Sequence, residues 1–250
     1  MDTAGRHEVI LRELLHGNGH VLELSKRLGV SASTIRRDLK VLTDTGRVTR
    51  TYGGAVIGNS EPTLQQKDQK HPAQKEAIAL LAATHVEDGE TLVLDAGTTT
   101  GRLAWHLRHR EGLHVVTNGV NAITTLRESD AVDVTVLGGE LRHKSQALQG
   151  PIAEETLRSL SADTLFLGAD GITAEHGVSN RYPALSSLKR LMVERAGRVY
   201  VLADHSKIGA SPFHYWTPLE RPYTVITDSD ATAEQLRPFH DSDLATVLVA

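Results

Sequence analysis

The chain has 250 residues, 40% of them apolar, a formal net charge of −4 and no cysteine. That length supports a sizeable core in one or two domains, and the missing cysteines exclude disulfides, thiolate metal sites and cysteine nucleophiles. Residues 1–60 carry nine Lys/Arg against six Asp/Glu, whereas residues 61–250 carry 18 against 25. Such a basic head on an acidic body suits one part that meets a polyanion and another that does not. No apolar run approaches the roughly 18 residues of a membrane span, and the N-terminus mixes charge into its apolar positions, so a soluble cytoplasmic protein with no membrane partner is expected.

In chain order, residues 6–15 place Val9, Ile10, Leu14 and Leu15 on one side and Arg6, Glu8, Arg12 and Glu13 on the other, a first amphipathic helix stopped by His16-Gly17-Asn18-Gly19. Residues 21–28 carry Val21, Leu24 and Leu28 and are broken by Gly29. Residues 31–42 then read S-A-S-T-I-R-R-D-L-K-V-L. Ile35, Leu39 and Leu42 recur at i, i+4 and i+7 as an apolar stripe, while Ser33, Thr34, Arg36, Arg37 and Lys40 occupy the other directions. Ser31 is placed to cap this helix, and Thr43-Asp44-Thr45-Gly46 reads as its stop. The alternating segment from Arg47 to Val56 turns on Gly53-Gly54 as a short hairpin does.

Helix, tight turn, helix and hairpin together predict a winged helix-turn-helix, with its third helix facing double-stranded DNA. Ser33, Thr34 and Arg37, near the helix start, are the candidates for base edges, and the capping Ser31 belongs to the same DNA-facing set. Arg36, Lys40, Arg47 and Arg50, with Tyr52 in the wing, are the candidates for phosphate or groove contact. The rival account, a solvated helix face on which Arg36 pairs with Asp38, explains neither the wing nor the basic balance.

Residues 57–72 lack periodicity and contain Gly58, Asn59, Ser60, Pro62 and the polar run Gln65-Gln66-Lys67-Asp68-Gln69-Lys70-His71. They predict a linker, placed at 58–73, between a DNA-binding domain over 1–57 and an α/β domain over 74–250. A helix pattern over 75–86 opens the second domain. Strand patterns follow over 91–95, 114–117, 132–137, 164–167, 198–203, 223–227 and 245–249, alternating with helix patterns over 100–107, 122–128, 152–160, 185–196 and 232–239. Short apolar strands alternating with helices predict an α/β domain with a mostly parallel sheet.

The loops after those strands carry the second chemistry. Asp95-Ala96-Gly97-Thr98-Thr99-Thr100-Gly101 leaves a strand and opens a helix, so its glycines, hydroxyls and first-turn amides can form an anion pocket. Thr117-Asn118-Gly119, Gly138-Gly139, Gly168-Ala169-Asp170-Gly171 and Asp204-His205-Ser206-Lys207 also follow strands, and in an open parallel sheet such loops converge on one edge. Hydroxyls and amides suit a phosphate, Lys207 adds charge, and Asp95 or Asp170 suits sugar hydroxyls. Neither G-x-x-x-x-G-K-[ST] nor G-x-G-x-x-G occurs, so no nucleotide cofactor is expected; the 13 histidines form no spaced ligand set, so no metal site is expected either.

Glu23-Leu24-Ser25, Leu28-Gly29-Val30-Ser31, Ser33-Thr34-Ile35-Arg36-Arg37-Asp38-Leu39, Gly46, Arg50 and Gly53-Gly54-Ala55 resemble the DeoR family of bacterial transcription regulators. Asp95-Ala96-Gly97-Thr98-Thr99-Thr100, Thr117-Asn118, Leu137-Gly138-Gly139, Gly171 and Asp204-x-Ser206-Lys207 resemble that family's sensor domain, related in fold to ribose-5-phosphate isomerase. The resemblance covers essentially the whole chain. It implies a repressor of a carbohydrate catabolic operon, not an enzyme, released from its operator by a sugar phosphate and assembled as a homodimer or homotetramer. Tyr52 stands where members usually have His, and Ala184-Leu185-Ser186-Ser187-Leu188 lacks a Glu that members often carry before the Lys-Arg pair. The competing reading is a sugar-phosphate isomerase-like enzyme with an accessory DNA-binding domain. It needs a carboxylate base over the substrate carbon, and the sequence places none.

Overall fold

The computed structural model describes residues 3–15, 18–44, 47–51, 54–57 and 62–250, and the chain divides into two compact units, Met1–Pro62 and Thr63–Ala250. In the first unit α1 (Thr3–Leu15), α2 (Val21–Leu28) and α3 (Ala32–Asp44) precede an antiparallel pair, β1 (Val48–Thr51) and β2 (Gly54–Ile57), in register Val48↔Ile57 to Thr51↔Gly54. Gly29 sits at φ 65, the left-handed conformation that lets the chain turn tightly out of α2. The stripe on α3 behaves as its spacing predicts: Ile35, Leu39 and Leu42 pack with Ile10, Leu14, Val21, Leu24, Val48 and Ala55 in one closed core. Each of these larger side chains contributes about 1.5–3 kcal/mol by leaving water. Gly19 is required by close approach, since a Cβ there would stand 2.0 Å from the Ala55 carbonyl oxygen.

The second unit begins with α4 (Leu64–Asp68) and α5 (Pro72–Ala83). Alternation then follows as β3 (Thr91–Leu94), α6 (Thr98–Leu107), β4 (Leu113–Thr117), α7 (Val120–Leu126) and β5 (Val132–Val136). A hairpin, β6 (Glu140–Arg142) and β7 (Ala147–Gln149), leads to α8 (Pro151–Arg158) and β8 (Ala162–Gly168). Next come β9 (Ile172–Thr173), β10 (Gly177–Asn180), α9 (Pro183–Arg195) and β11 (Ala196–Leu202), and then a single 3-10 turn over His205–Lys207. The chain ends through β12 (Tyr215–Thr217), β13 (Tyr223–Thr227), α10 (Ala233–His240) and β14 (Ala245–Val249).

Seven of these strands form one sheet in the order β14-β13-β11-β8-β3-β4-β5, with all neighbours parallel. Helices α5, α6 and α7 pack on one face through Ile78, Leu103 and Leu126, and α8, α9 and α10 on the other through Leu157, Met192 and Phe239. The central strands alternate between the two faces, Val93 joining one core while Leu92 and Leu94 join the other. All seven strands and the five helices between them lie where hydrophobic patterning predicts. Helices α5, α8 and α9 begin one to three residues earlier than their apolar pattern, each at a proline, because proline is preorganised for the first helical position.

Patterning misses the hairpin β6–β7 and the three-stranded antiparallel sheet β12-β10-β9, whose strands carry only one or two apolar residues each and so form no apolar run. It also misses α4, which lies inside the segment read as a linker. A capping box marks α4's start: the Gln66 amide donates to Thr63 Oγ1 at 3.2 Å and the Thr63 amide to Gln66 Oε1 at 2.9 Å. No helix among the described residues is long and apolar enough to cross a membrane.

Candidate functional site

In the first unit the buried back of α3 leaves Ser31, Ser33, Arg36, Arg37 and Lys40 exposed, with Thr34 half-buried and Arg47 exposed before the wing. Ser31 Oγ accepts the Thr34 amide at 3.1 Å, the helix cap its position predicts, and lies 2.7 Å from Ser33 Oγ and 2.9 Å from Thr34 Oγ1. The hydroxyls at the start of the helix are thus tied into one cluster, leaving the arginines as the long side chains of the basic front. The side chain of Arg50 and the whole of Tyr52 lie outside the described residues.

Asp38 does not join that front. It is 3% exposed and receives Arg6 through Nε at 2.6 Å and Nη2 at 3.0 Å, with His7 Nε2 at 3.1 Å, both from α1. The hydrogen bond from Arg6, followed by His7, holds its carboxyl below the usual carboxylate range although burial pushes it up. Of the Arg-Arg-Asp run, the arginines face outward and the aspartate fixes the helix to its own domain.

The second candidate site lies where the strand order reverses. β3 and β8 are neighbours, β4 and β5 extend the sheet beyond β3, and β11, β13 and β14 extend it beyond β8. A crevice opens at the carboxyl ends of strands flanking such a switch point. Asp95 follows β3, Gly168-Ala169-Asp170 closes and follows β8, and the turn with Lys207 follows β11. Asp95 Oδ2 accepts the Gly168 amide at 3.1 Å and pairs with Lys189 Nζ at 2.9 Å, which also donates to the Gly168 carbonyl at 2.5 Å. Asp95 Oδ1 and Thr99 Oγ1 are buried with no hydrogen-bond partner among the described residues, at the loop where α6 presents its first-turn amides and positive end.

More charge collects around this point. Lys67 of α4 donates to both oxygens of Asp170, at 2.6 and 2.8 Å, and Lys207 pairs with Asp204 at 3.4 Å. Burial pushes the Asp170 carboxyl up, but Lys67, with Lys207 and Lys189 behind it, outweighs burial and holds it below its usual value. Asp204 is shifted the same way, burial being outweighed by Lys207, Ser206 and Lys75. Lys75, 1% exposed on α5, donates to the carbonyls of Lys67, at 2.7 Å, and Lys70; burial and the neighbouring Lys207 lower its pKa to about 8. The turn carrying Lys207 is anchored by Asp228, whose Oδ2 accepts the His205 amide at 2.7 Å and whose Oδ1 lies 2.8 Å from His205 Nδ1. Asp230 adds a second carboxylate, and one ligand-type atom from each of His205, Asp228 and Asp230 lies within 4.8 Å of the others. No sequence spacing marks that group, because its members come from two strand ends.

Of the residues singled out in sequence, the fold gathers Asp95, Gly97, Thr98, Thr99, Asp170 and Lys207 at this edge. Others spend their polar atoms on shaping the loops. Thr100 Oγ1 donates to the Gly97 carbonyl at 3.1 Å, and Thr117 Oγ1 donates to the Leu94 carbonyl at 2.7 Å while accepting the Gly119 amide at 3.0 Å. Asn118 Oδ1 accepts the Ala96 amide at 2.8 Å and its Nδ2 donates to the Leu148 carbonyl at 3.2 Å. Gly138 and Gly139 adopt φ 72 and 99, and a Cβ on Gly139 would stand 2.3 Å from the Gln149 carbonyl oxygen, so they serve the entry into the β6–β7 hairpin.

Sequence reasoning misses Lys67, Lys75 and Lys189. Two of them carried a usable signal: Lys75 shares the buried stripe of Ile78, Ala79 and Ala82, and Lys189 that of Ser186 and Val193. A lysine on an apolar stripe needs a buried partner.

Comparison with known proteins agrees with this layout in both units. Residues 6–61 match the DeoR-like helix-turn-helix domain and residues 70–229 the DeoR C terminal sensor domain. The HTH-type transcriptional regulator GlpR of Haloferax volcanii is 35% identical over 99% of this chain and 98% of its own. The HTH-type transcriptional repressor GlcR of Bacillus subtilis is 35% identical over 80% of this chain and 78% of its own, and the transcriptional repressor AccR of Agrobacterium fabrum is 33% identical over 82% and 81%. Among solved structures, a ribose 5-phosphate isomerase A from Methanocaldococcus jannaschii aligns over 55% of each chain with 17% identity and a TM-score of 0.41. With both halves of the chain matched in order and relatives matched along most of its length, the protein belongs to the DeoR family of helix-turn-helix transcription regulators.

Proposed function

We propose that the protein is a repressor of a carbohydrate catabolic operon that leaves its operator when a phosphorylated sugar binds the strand-end site. The observation that carries this reading is the gathering of Lys67, Lys75, Lys189 and Lys207 around Asp95, Asp170 and Asp204 at the strand ends, on a chain whose other unit exposes Arg36, Arg37 and Lys40 on a helix-turn-helix. Lysines and first-turn amides suit a phosphate dianion, and the unpartnered Asp95 Oδ1 and Thr99 Oγ1 suit sugar hydroxyls.

On DNA, α3 enters the major groove, Ser33, Thr34 and Arg37 meet base edges, and Ser31, Arg36, Lys40, Arg47, Arg50 and Tyr52 meet phosphates or the neighbouring groove. Two protomers of a homodimer or homotetramer read a repeated or palindromic operator, and effector binding favours a protomer arrangement whose helix spacing no longer fits it. The test is a screen of pentose and hexose phosphates for loss of binding to the DNA upstream of the protein's own gene at fixed salt. Release by one phosphorylated sugar, and not by its unphosphorylated form, is the expected result. Release by none of them would refute the effector class, and turnover of a sugar phosphate by the purified protein would refute a purely regulatory role.

A further inference from the structure

α4 stands first in the sensor unit, separated from Pro62 only by its cap Thr63, and none of its residues is buried. Five residues cannot hold a helix in water by themselves, so tertiary contacts decide where this one lies. Those contacts are polar. The Leu64 amide donates to the Lys144 carbonyl at 2.8 Å, Asp68 receives Arg102 at 2.9 Å, Lys75 Nζ binds the Lys67 and Lys70 carbonyls, and Lys67 binds Asp170. Only Lys67 reaches from α4 to a carboxylate of the strand-end site.

The ion pairs of that site differ in access. Lys189 and Asp95 are 7% and 1% exposed, a sealed pair, whereas Lys67 and Asp170 are 24% and 30% exposed. An anion entering from solvent meets Lys67 before Lys189. A phosphate dianion carries more charge and more acceptor oxygens than the Asp170 carboxylate, so it competes for the same ammonium.

From this we infer that Lys67 is a latch: it exchanges Asp170 for the effector's phosphate, and α4 moves with it, shifting the start of the sensor unit where the chain arrives from the DNA-binding unit. The inference rests on the effector-site reading above. Lys75 extends the latch, because its ammonium holds the Lys67 carbonyl and follows α4.

Hydrogen exchange of the full chain tests it, with inorganic phosphate at millimolar concentration as the probe and chloride at equal ionic strength as the control. In the wild type, phosphate slows exchange at residues 97–101 and alters exchange across residues 64–70. Asp170→Asn without phosphate speeds exchange across 64–70 by about tenfold, as expected when a charge-assisted anchor is lost. Lys67→Gln, which breaks the pair from its other side, also loosens 64–70 and abolishes their response to phosphate. Thermal unfolding of both variants controls for folding. Unchanged exchange over 64–70 in both variants, or in phosphate-protected wild type, overturns the latch and leaves the site reading intact. Absence of protection at 97–101 overturns the site reading itself.

Discussion

Asp38→Asn isolates the anchoring of the DNA-reading helix, because it removes a charge from the back of α3 and leaves the exposed front untouched. The carboxylate is 3% exposed and takes two hydrogen bonds from Arg6 and one from His7. Removing one partner of a buried pair costs about 3–5 kcal/mol, since the other charge is left uncompensated. The Arg6 side chain keeps 14% of its exposure, which places the expected cost near the lower end, about 3 kcal/mol. A unit spanning Met1–Pro62 has a total stability of roughly 3–9 kcal/mol at the usual 0.05–0.15 kcal/mol per residue. The substitution therefore removes a third or more of it, over a hundredfold in the folded-to-unfolded ratio.

The assay is urea unfolding of the full chain followed by hydrogen exchange in α1–α3, beside DNA titration at fixed salt. Expected are an early loss of protection in the first unit, an unchanged sensor unit, and DNA binding that falls as temperature rises. The double variant Arg6→Met/Asp38→Leu should recover most of the loss, because apolar replacement of both partners removes the uncompensated charge. First-unit stability within about 0.5 kcal/mol of wild type would refute the anchoring argument. Weakened DNA binding at unchanged stability would place Asp38 at the DNA instead.

Arg37→Ala should reduce discrimination between operator and random DNA by about 1–3 kcal/mol, roughly five- to 150-fold, whereas Lys40→Ala should weaken binding to all sequences and lower the salt slope by about one; titrations against both DNAs at several salt concentrations separate the two. Lys207→Ala should keep operator binding and lose release by the effector, read as an unchanged dissociation constant without sugar phosphate and no shift with it. Lys75 gives a pH signature. Its folded pKa of about 8 lies below the ordinary 10.5, so between those values the unfolded chain holds the proton and the folded one does not, and stability rises with pH. Relative to Lys75→Met, wild-type sensor stability in denaturant titrations should climb by up to about 3 kcal/mol across that window, and a flat difference would show that the ammonium is not desolvated as described.

Much of the fold was legible because both of its periods are local. Residues three and four apart on α3 share a face in any helix, so Ile35, Leu39 and Leu42 announced a core and Arg36 and Arg37 a front. The seven strands of the main sheet were legible as apolar runs bounded by polar loops, and Gly97-Thr98-Thr99 announced a helix start at a strand end. The strands of β6–β7 and of β12-β10-β9, with one or two apolar residues each, left no such signal, and α4 was hidden in a polar run although Thr63 and Gln66 spell its capping box.

The side chains of one loop sequence did not announce their separate fates. Thr98, Thr99 and Thr100 are consecutive threonines, yet Thr100 Oγ1 turns back to the Gly97 carbonyl while Thr99 Oγ1 is buried without a partner. Likewise Asp38 follows Arg37 in sequence, but a helical step turns it toward Arg6 of α1.

The amino-acid order by itself thus determined the winged helix-turn-helix, the α/β class and the strand-end loops, since each follows from spacing within a few turns or strands. Tertiary structure alone decided the charge pairing: Lys67 with Asp170, Lys189 with Asp95 and Arg6 with Asp38 join residues 103, 94 and 32 positions apart. Coulomb attraction and desolvation depend on distance and burial in space, and no local period encodes either.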